Sequence, residues 1–511
     1  MRGRDRQAMI PVSTAEYDYV VVGGGTAGCV LAARLAADSD GTVLLIEAGP
    51  DGRGVAQIPD PALWAKLRGT SLDWALEYAP SALVAGRPMA VPRGKVLGGC
   101  SATNAMVWSR GQPADYDAWE GAGAAGWNFT ALLPYFRRAE DWEGGQGQLR
   151  GEGGPLRIER PRDPHPVAAA LLDAAAELGL PVLDDANGGE SHGAALTNLN
   201  IAAGRRHSVV DGYLRAPGRG CLPGLTVLTG SAAVRLGFSG SRCDSVFHVV
   251  RGALRQTRAR REVIVTLGAL GTPRLLIRSG IGDPGELARL GVAVQAALPG
   301  VGANLQDHPF LAGITFRARR RIGLVRDNGG GAVLSWCSSR ASRPDLHAFA
   351  IQGSGDSFSI APALVGSRSA GYLRVHALSG DGADHAQIQP NFLAEPSDTK
   401  ALAESLDMIM DLAGTRAYRA RTAAPLRPPG RLTHADKVRY IRENCATLGD
   451  PCGTAAIGTG PGAVVDPALR VIGVDGLRVA DASVIPVIPR CNIQAPVVAI
   501  AERAADLVIG A

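Results

Sequence analysis

The chain has 511 residues, 46% of them hydrophobic and 20% charged, and its mean hydropathy of +0.05 excludes a largely disordered chain. Its net charge of +5 is spread along the sequence, and the densest basic stretch, Arg255 to Arg261, reads as a solvated hairpin, so no nucleic-acid partner is expected. Eight scattered cysteines, with no CxxC pair and no Cys/His ligand spacing, read as reduced thiols without a metal site. The basic N-terminus lacks an apolar core, and no run reaches the roughly 18 apolar residues that span a bilayer. A cytoplasmic protein without a membrane span is expected.

Tyr17 to Val22 (YDYVVV) is a short β-rich run, followed by glycines at 23, 24, 25 and 28 and a helical pattern from Ala27 to Ala37. A second apolar strand, Val43 to Ile46, ends in Glu47. A Gly/Pro-punctuated region covers residues 48–115, followed by a helical segment at residues 128–140 and a glycine-rich stretch at 144–154. A helix is expected over residues 166–178. Strands are expected at 225–228 and 262–266, with antiparallel chain between them, and Pro273 should open a helix running to Arg278. Residues 310–440 are less patterned, with strands expected at 332–336, 346–351 and 372–377 and helices at 398–412 and 434–445. The last residues regain a clear pattern, with a turn at 465–467, a strand at 477–479 and a helix at 495–508.

Gly23-x-Gly25-x-x-Gly28 lies between a strand and a helix, which is where a dinucleotide fingerprint works. The first glycine permits the tight turn, the second admits a pyrophosphate to the backbone, and the third lets helix and strand pack closely. Glu47 closes the second strand, where a carboxylate can bind a ribose hydroxyl and disfavours a 2′-phosphate. FAD or NAD is therefore preferred to NADP.

Past Glu47 the sequence resembles the glucose–methanol–choline (GMC) flavoenzyme family along nearly its whole length. The likeness is carried by DYVVVGGGTAGCVLAARLA (18–36), PRGKVLGGCSATNAM (92–106), GALGTPRLLIRSGIG (268–282), LPGVGANLQDHP (298–309), VVDPALRVIGVDGLRVADASVIP (464–486) and APVVAIAERAADLV (495–508). It implies an α/β (α+β) protein with a Rossmann-like FAD-binding domain and a substrate domain built on an antiparallel sheet. The FAD domain should be discontinuous (15–160, 200–310 and 455–511), with 161–199 and 311–454 forming the substrate domain. The implied reaction is oxidation of a small-molecule alcohol by hydride transfer to flavin N5, with dioxygen, a quinone or another acceptor taking the electrons. The oligomeric state stays open.

The same resemblance assigns cofactor contacts. They come from Gly23, Gly25, Thr26, Ala27, Gly28, Glu47 and Ala48, then Arg93, Val96, Gly98, Gly99, Asn104, Ala105, Met106 and Val107. Val234 is similar to the residue whose backbone meets the adenine. Asp481 and Ala482 resemble residues facing the ribityl–pyrophosphate region, and Asn492 and Ile493 complete the set. Thr103 stands where some relatives carry the histidine that tethers FAD, so FAD should be noncovalent.

One departure bears on the chemistry. The family's catalytic pair combines a histidine before Pro-x-Gly-Thr with an Asn or His shortly before Ala-Pro. Asn492, in CNIQAP, fills the second place. Asp450 stands in the first, in GDPCGT, and no histidine follows His434. A histidine suits proton abstraction near neutral pH, whereas an aspartate holds a proton poorly unless burial raises its pKa. Asp450 could be a replacement base, the mark of a suppressed FAD-binding variant, or a sign of a lyase- or photodecarboxylase-like reaction that needs no such base. His308, in LQDHP, reads as structural near the domain junction, and His207 as part of a surface network. Ser208, Asp185 and His192 form no hydrolase triad, and no GxSxG elbow is present.

Overall fold

Strands built almost wholly of Val, Leu and Ile are those buried on both faces, and three of them form the centre of the first sheet. In the computed structural model, which describes residues 15–215, 222–352, 355–378 and 384–510, its path runs Leu225–Leu228, Val43–Ile46, Ala15–Val22, Ala253–Val265, Arg242–Val250, Ser231–Ser239. The first four strands are parallel, and Leu477–Val479 joins Ala253–Val265 in parallel as well. Val20, Val21, Val22, Leu45, Val263, Ile264 and Val265 are fully buried, as helices on both faces of a parallel sheet require.

Ala253–Val265 serves two sheets' worth of pairing. Its first half lies antiparallel to Arg242–Val250, and its second half joins the parallel core. The basic stretch accordingly starts in one arm of the antiparallel hairpin of Arg242–Val250 and Ala253–Val265 and runs on into the parallel core. Its exposed arginines face acids of neighbouring chain: Arg260 meets Asp18 at 2.9 Å and Arg261 meets Asp40 at 3.0 Å.

The second sheet is antiparallel, in the order Thr422–Arg427, Thr315–Ala318, Ser357–Leu364, Leu346–Gln352, Ala332–Trp336, Gly193–Leu196, with Pro309–Leu311 and Cys445–Thr447 at one side. Helices Pro166–Glu177 and Pro396–Gly414 pack against it. Ser357–Leu364, which carries Pro362, is not among the strands expected from sequence. On the side away from Leu346–Gln352, Thr315–Ala318 pairs only with Ser357–Ser359 and Pro309–Leu311 only at Ala363, so Pro362 falls in the gap between two partner strands.

Pro273 lies inside a helix, Gly268–Arg278, and does not open one. A proline there frees the carbonyl of Ala269, and the Thr454 hydroxyl donates to that oxygen at 2.6 Å. The repair ties the helix to the segment that carries Asp450. No helix among the described residues is long and apolar enough to cross a membrane. Seven cysteines are described and all are free, while Cys221 and the basic residues 1–14 lie outside the described residues.

Candidate active site

The three fingerprint glycines are required for different reasons. A Cβ on Gly28 would stand 1.8 Å from the Gly23 carbonyl oxygen, and one on Gly23, whose φ is +113°, would stand 2.6 Å from that of Thr266. Both are demanded by chain packing. Gly25 is not: a Cβ there would meet nothing nearer than 3.9 Å, and its φ is an ordinary −76°. The protein leaves that space open for a group approaching the backbone. Helix Thr26–Asp38 starts behind it with no side-chain cap and no acid in its first turn, so its positive end is unneutralised.

Glu47 completes the cradle, accepting hydrogen bonds from the Gly24 N–H at 2.9 Å and the Gly49 N–H at 2.7 Å. Burial pushes its carboxyl up to about 7, against the pull of those N–H groups. The Ser231 N–H donates to the Glu47 carbonyl at 2.8 Å, which brings the strand bearing Val234 alongside. The family loop crosses directly over the fingerprint: the Gly98 N–H donates to Gly24 at 2.7 Å, and a Cβ on Gly99 would lie 2.7 Å from Gly25 Cα. An open glycine, an uncapped helix and an inward carboxylate together suit a dinucleotide, so the residues present fit FAD.

Other expected cofactor residues are held by protein partners. Arg93 donates to Gly449 at 2.5 Å and clips the loop to the segment before Asp450. Asn104 accepts from the Met106 N–H at 2.9 Å and from Arg206 at 3.0 Å, and its amide donates to Gln494. That turn holds Met106 at a φ of 59°, which a non-glycine residue adopts only under constraint. Ala105 accepts from Asn328, and Val107 bridges to Leu199. Val96 is buried beneath the loop. Asp481 accepts from Gly268 N–H at 2.9 Å, Thr272 at 2.6 Å and Ser483 N–H at 2.7 Å, so its carboxylate caps two turns.

Asp450 and Asn492 meet, 42 residues apart in sequence: the Asn492 amide donates to Asp450 Oδ2 at 3.2 Å, and the Ile493 N–H reaches Oδ1 at 3.3 Å. A third member, His308, joins them although its motif reads as structural. His308 Nδ1 lies 3.2 Å from Asp450 Oδ2, and its Nε2 lies 3.2 Å from the Pro489 carbonyl oxygen. Both ring nitrogens face oxygens, so at least one proton must lie between imidazole and carboxyl. Beneath them Asp307 accepts from the Asp450 N–H at 2.9 Å and from the hydroxyls of Tyr78 and Thr447, each at 2.5 Å. Burial and the nearby Asp450 charge raise the Asp307 pKa. The available signal for His308 was its place in a family block, combined with the absence of any late histidine.

Asn492 also lines a small cavity of about 50 Å³ on the face of the antiparallel sheet. That face presents alternate residues of three strands, in register: Val333 opposes Phe349 and Ala195, while Ser335 opposes His347 and Gly193. His347 is only 8% exposed, and none of the described residues hydrogen-bonds its ring. Burial, with a smaller effect of His308, lowers its pKa to about 3, so it faces the cavity as a neutral imidazole. Gln112 and Arg490 close the outer side. His207 accepts from the Arg157 N–H at 3.1 Å, away from this cavity's lining.

A glycine turn open to a pyrophosphate, on one fold with a polar-edged cavity beside Asn492 and Asp450, suits a flavin oxidoreductase. The chain belongs to the GMC oxidoreductase family, whose N- and C-terminal models match residues 17–310 and 367–501. It is 34% identical to human mitochondrial choline dehydrogenase over 98% of this chain and 90% of that protein. It is 32% identical to the oxygen-dependent choline dehydrogenase of Brucella ovis over 97% and 96%. Among solved structures it resembles pyridoxine 4-oxidase from Mesorbium loti, with a TM-score of 0.91, 34% identity and coverage of 96% and 98%. Formate oxidase from Aspergillus oryzae RIB40 follows, with a TM-score of 0.89, 27% identity and coverage of 97% and 98%. The protein is an FAD-dependent alcohol oxidoreductase, and relatives named as dehydrogenases and oxidases favour oxidation over a lyase-like or silenced alternative.

Proposed function

We propose that the protein oxidises a small alcohol at the Asp450–Asn492 centre, with Asp450 as the proton acceptor. The observation that carries this reading is that Asp450 is held between His308 and Asn492. Oδ2 of Asp450 lies between His308 Nδ1 and the Asn492 amide, and its Oδ1 is met by the Ile493 N–H. Asn492 bridges this carboxylate and the cavity, where its amide orients the substrate hydroxyl. The hydroxyl proton passes to Asp450, which His308 and Asn492 hold in position. Bound FAD supplies the hydride acceptor. The loop of Gly98, Gly99 and Asn104 lies over the fingerprint and supports the assigned cofactor contacts, and Thr103 in the tether position supports noncovalent FAD.

The division of strands between the two sheets supports an FAD domain of 15–160, 200–310 and 455–511 and a substrate domain of 161–199 and 311–454. Dioxygen or a quinone is the electron acceptor in this reading. Free, unpaired thiols among the described residues accord with the reducing cytoplasm.

Anaerobic mixing of the flavin-loaded protein with an alcohol panel tests the assignment. Asp450→Asn should slow flavin reduction by about 10²–10⁴-fold at unchanged flavin content, the scale of general-base catalysis. If Asp450→His instead speeds reduction, Asp450 is not the working base. If no alcohol bleaches the visible flavin band, the function itself is wrong.

A further inference from the structure

Arg340, Arg343 and Arg490 gather around Asp115 and Asp345, and two of them are neutralised. Arg340 pairs with Asp398 at 2.8 Å and Asp345 at 3.3 Å. Arg343 pairs with Asp115 at 3.1 Å. The other oxygen of Asp115 is taken by backbone N–H groups, Gln112 at 2.9 Å and Arg490 at 3.1 Å. The Arg490 guanidinium therefore has no carboxylate within 4.0 Å among the described residues. Its Nη1 donates to the carbonyls of Arg343 at 2.9 Å and Pro344 at 3.3 Å, which anchors one edge of the fork. Burial and the Arg343 charge both weigh against its charged form.

This lone guanidinium lines the same cavity as Asn492, two residues further along, and no aspartate or glutamate lines that cavity. His347, the other basic group there, is neutral. Among the described residues the lining therefore carries one cation and no carboxylate, which disfavours a quaternary ammonium and suits the planar, two-oxygen geometry of a carboxylate.

We propose that Arg490 is the specificity determinant of this cavity and that it selects a short alcohol bearing a carboxylate, a hydroxy acid, over a quaternary-ammonium alcohol. The inference rests on the reading that substrate occupies the cavity beside Asn492. The carboxylate sits on the free edge of the Arg490 fork and the carbinol end points toward Asn492 and Asp450. The carbinol carbon gives up a hydride and the hydroxyl a proton, a C=O bond forms, and FAD is reduced by two electrons.

Two measurements on the flavin-loaded protein test this. The first is binding without turnover: propionate and tetramethylammonium are titrated while the oxidised flavin spectrum is followed. The second is anaerobic flavin reduction by 3-hydroxypropanoate, 1-propanol and choline. Propionate should perturb the spectrum where tetramethylammonium does not. The hydroxy acid should exceed 1-propanol in kcat/KM by about 10- to 100-fold, the worth of a charge-assisted hydrogen bond. Arg490→Gln should collapse that ratio to within about 3-fold, and Arg490→Lys, which keeps the charge without the fork, should leave an intermediate ratio. Choline as the best substrate, or a ratio that Arg490→Gln leaves unmoved, overturns the proposal. If no alcohol reduces the flavin but propionate still binds in an Arg490-dependent way, the alcohol reading fails while the anion-selective cavity stands. If alcohols reduce the flavin with no preference for charge, the reverse holds.

Discussion

Glu47 carries a cost that the cofactor is placed to relieve. Its carboxyl is raised from 4.5 to about 7 by burial, so the folded chain without FAD prefers it protonated. The corresponding stability is fully present below pH 4.5, declines as the pH rises, and is lost above pH 7, to the extent of about 3 kcal/mol. Thermal unfolding of the flavin-free protein should therefore show a Tm that falls between pH 5 and pH 8. Glu47→Gln should flatten that slope, and an unchanged slope would locate its cause elsewhere. Flavin binding should also flatten it, because ribose hydroxyls donating to Glu47 favour the ionised form. The motif made Glu47 legible in the sequence as a ribose ligand. Its raised pKa was not legible, because burial depends on how distant segments pack around the strand end.

At the level of elements, the turn between Ala15–Val22 and helix Thr26–Asp38 separates folding from binding. Gly28→Ala puts a Cβ 1.8 Å from the Gly23 carbonyl oxygen and should lower stability by about 1–3 kcal/mol or prevent folding. Gly25→Ala meets nothing nearer than 3.9 Å and should leave the Tm of the flavin-free protein intact while flavin content falls sharply. Equal loss of Tm in both variants would refute the distinction. Local elements such as this strand–helix–strand unit were readable because glycine spacing and apolar runs report backbone conformation directly. Pro273 misled the reading because its rescue comes from Thr454, 185 residues from the carbonyl that proline frees. Ser357–Leu364 escaped for a similar reason: whether a proline breaks a strand depends on which neighbour is present at that rung.

Across the whole molecule, the C-terminal helix Gln494–Ile509 begins beside Asn492 and ends against the FAD unit. Its buried Glu502 accepts from Arg34 at 2.9 Å, Arg138 at 2.7 Å and the Tyr213 hydroxyl. Glu502→Ala would strand the largely buried Arg34, while Arg138 keeps Asp506 at 3.0 Å, and should destabilise the protein by about 3 kcal/mol. Because the helix starts at the site, flavin should be released in the same thermal transition, and flavin loss well before unfolding would contradict this. The active-site partners that sequence missed share one trait: they are long-range. His308 and Asp450 are 142 residues apart, and the isolation of Arg490 appears only once Asp115, Asp345 and Asp398 are seen to be engaged elsewhere. The cavity floor adds a consequence for anyone altering substrate choice. Because it is one face of a registered sheet, a library confined to 193, 195, 333, 335, 347 and 349 varies the pocket wall, while the intervening positions answer to the protein's interior. Insertion of a single residue into any of these strands would exchange the two sets at once, so specificity here should drift by substitution and almost never by length change.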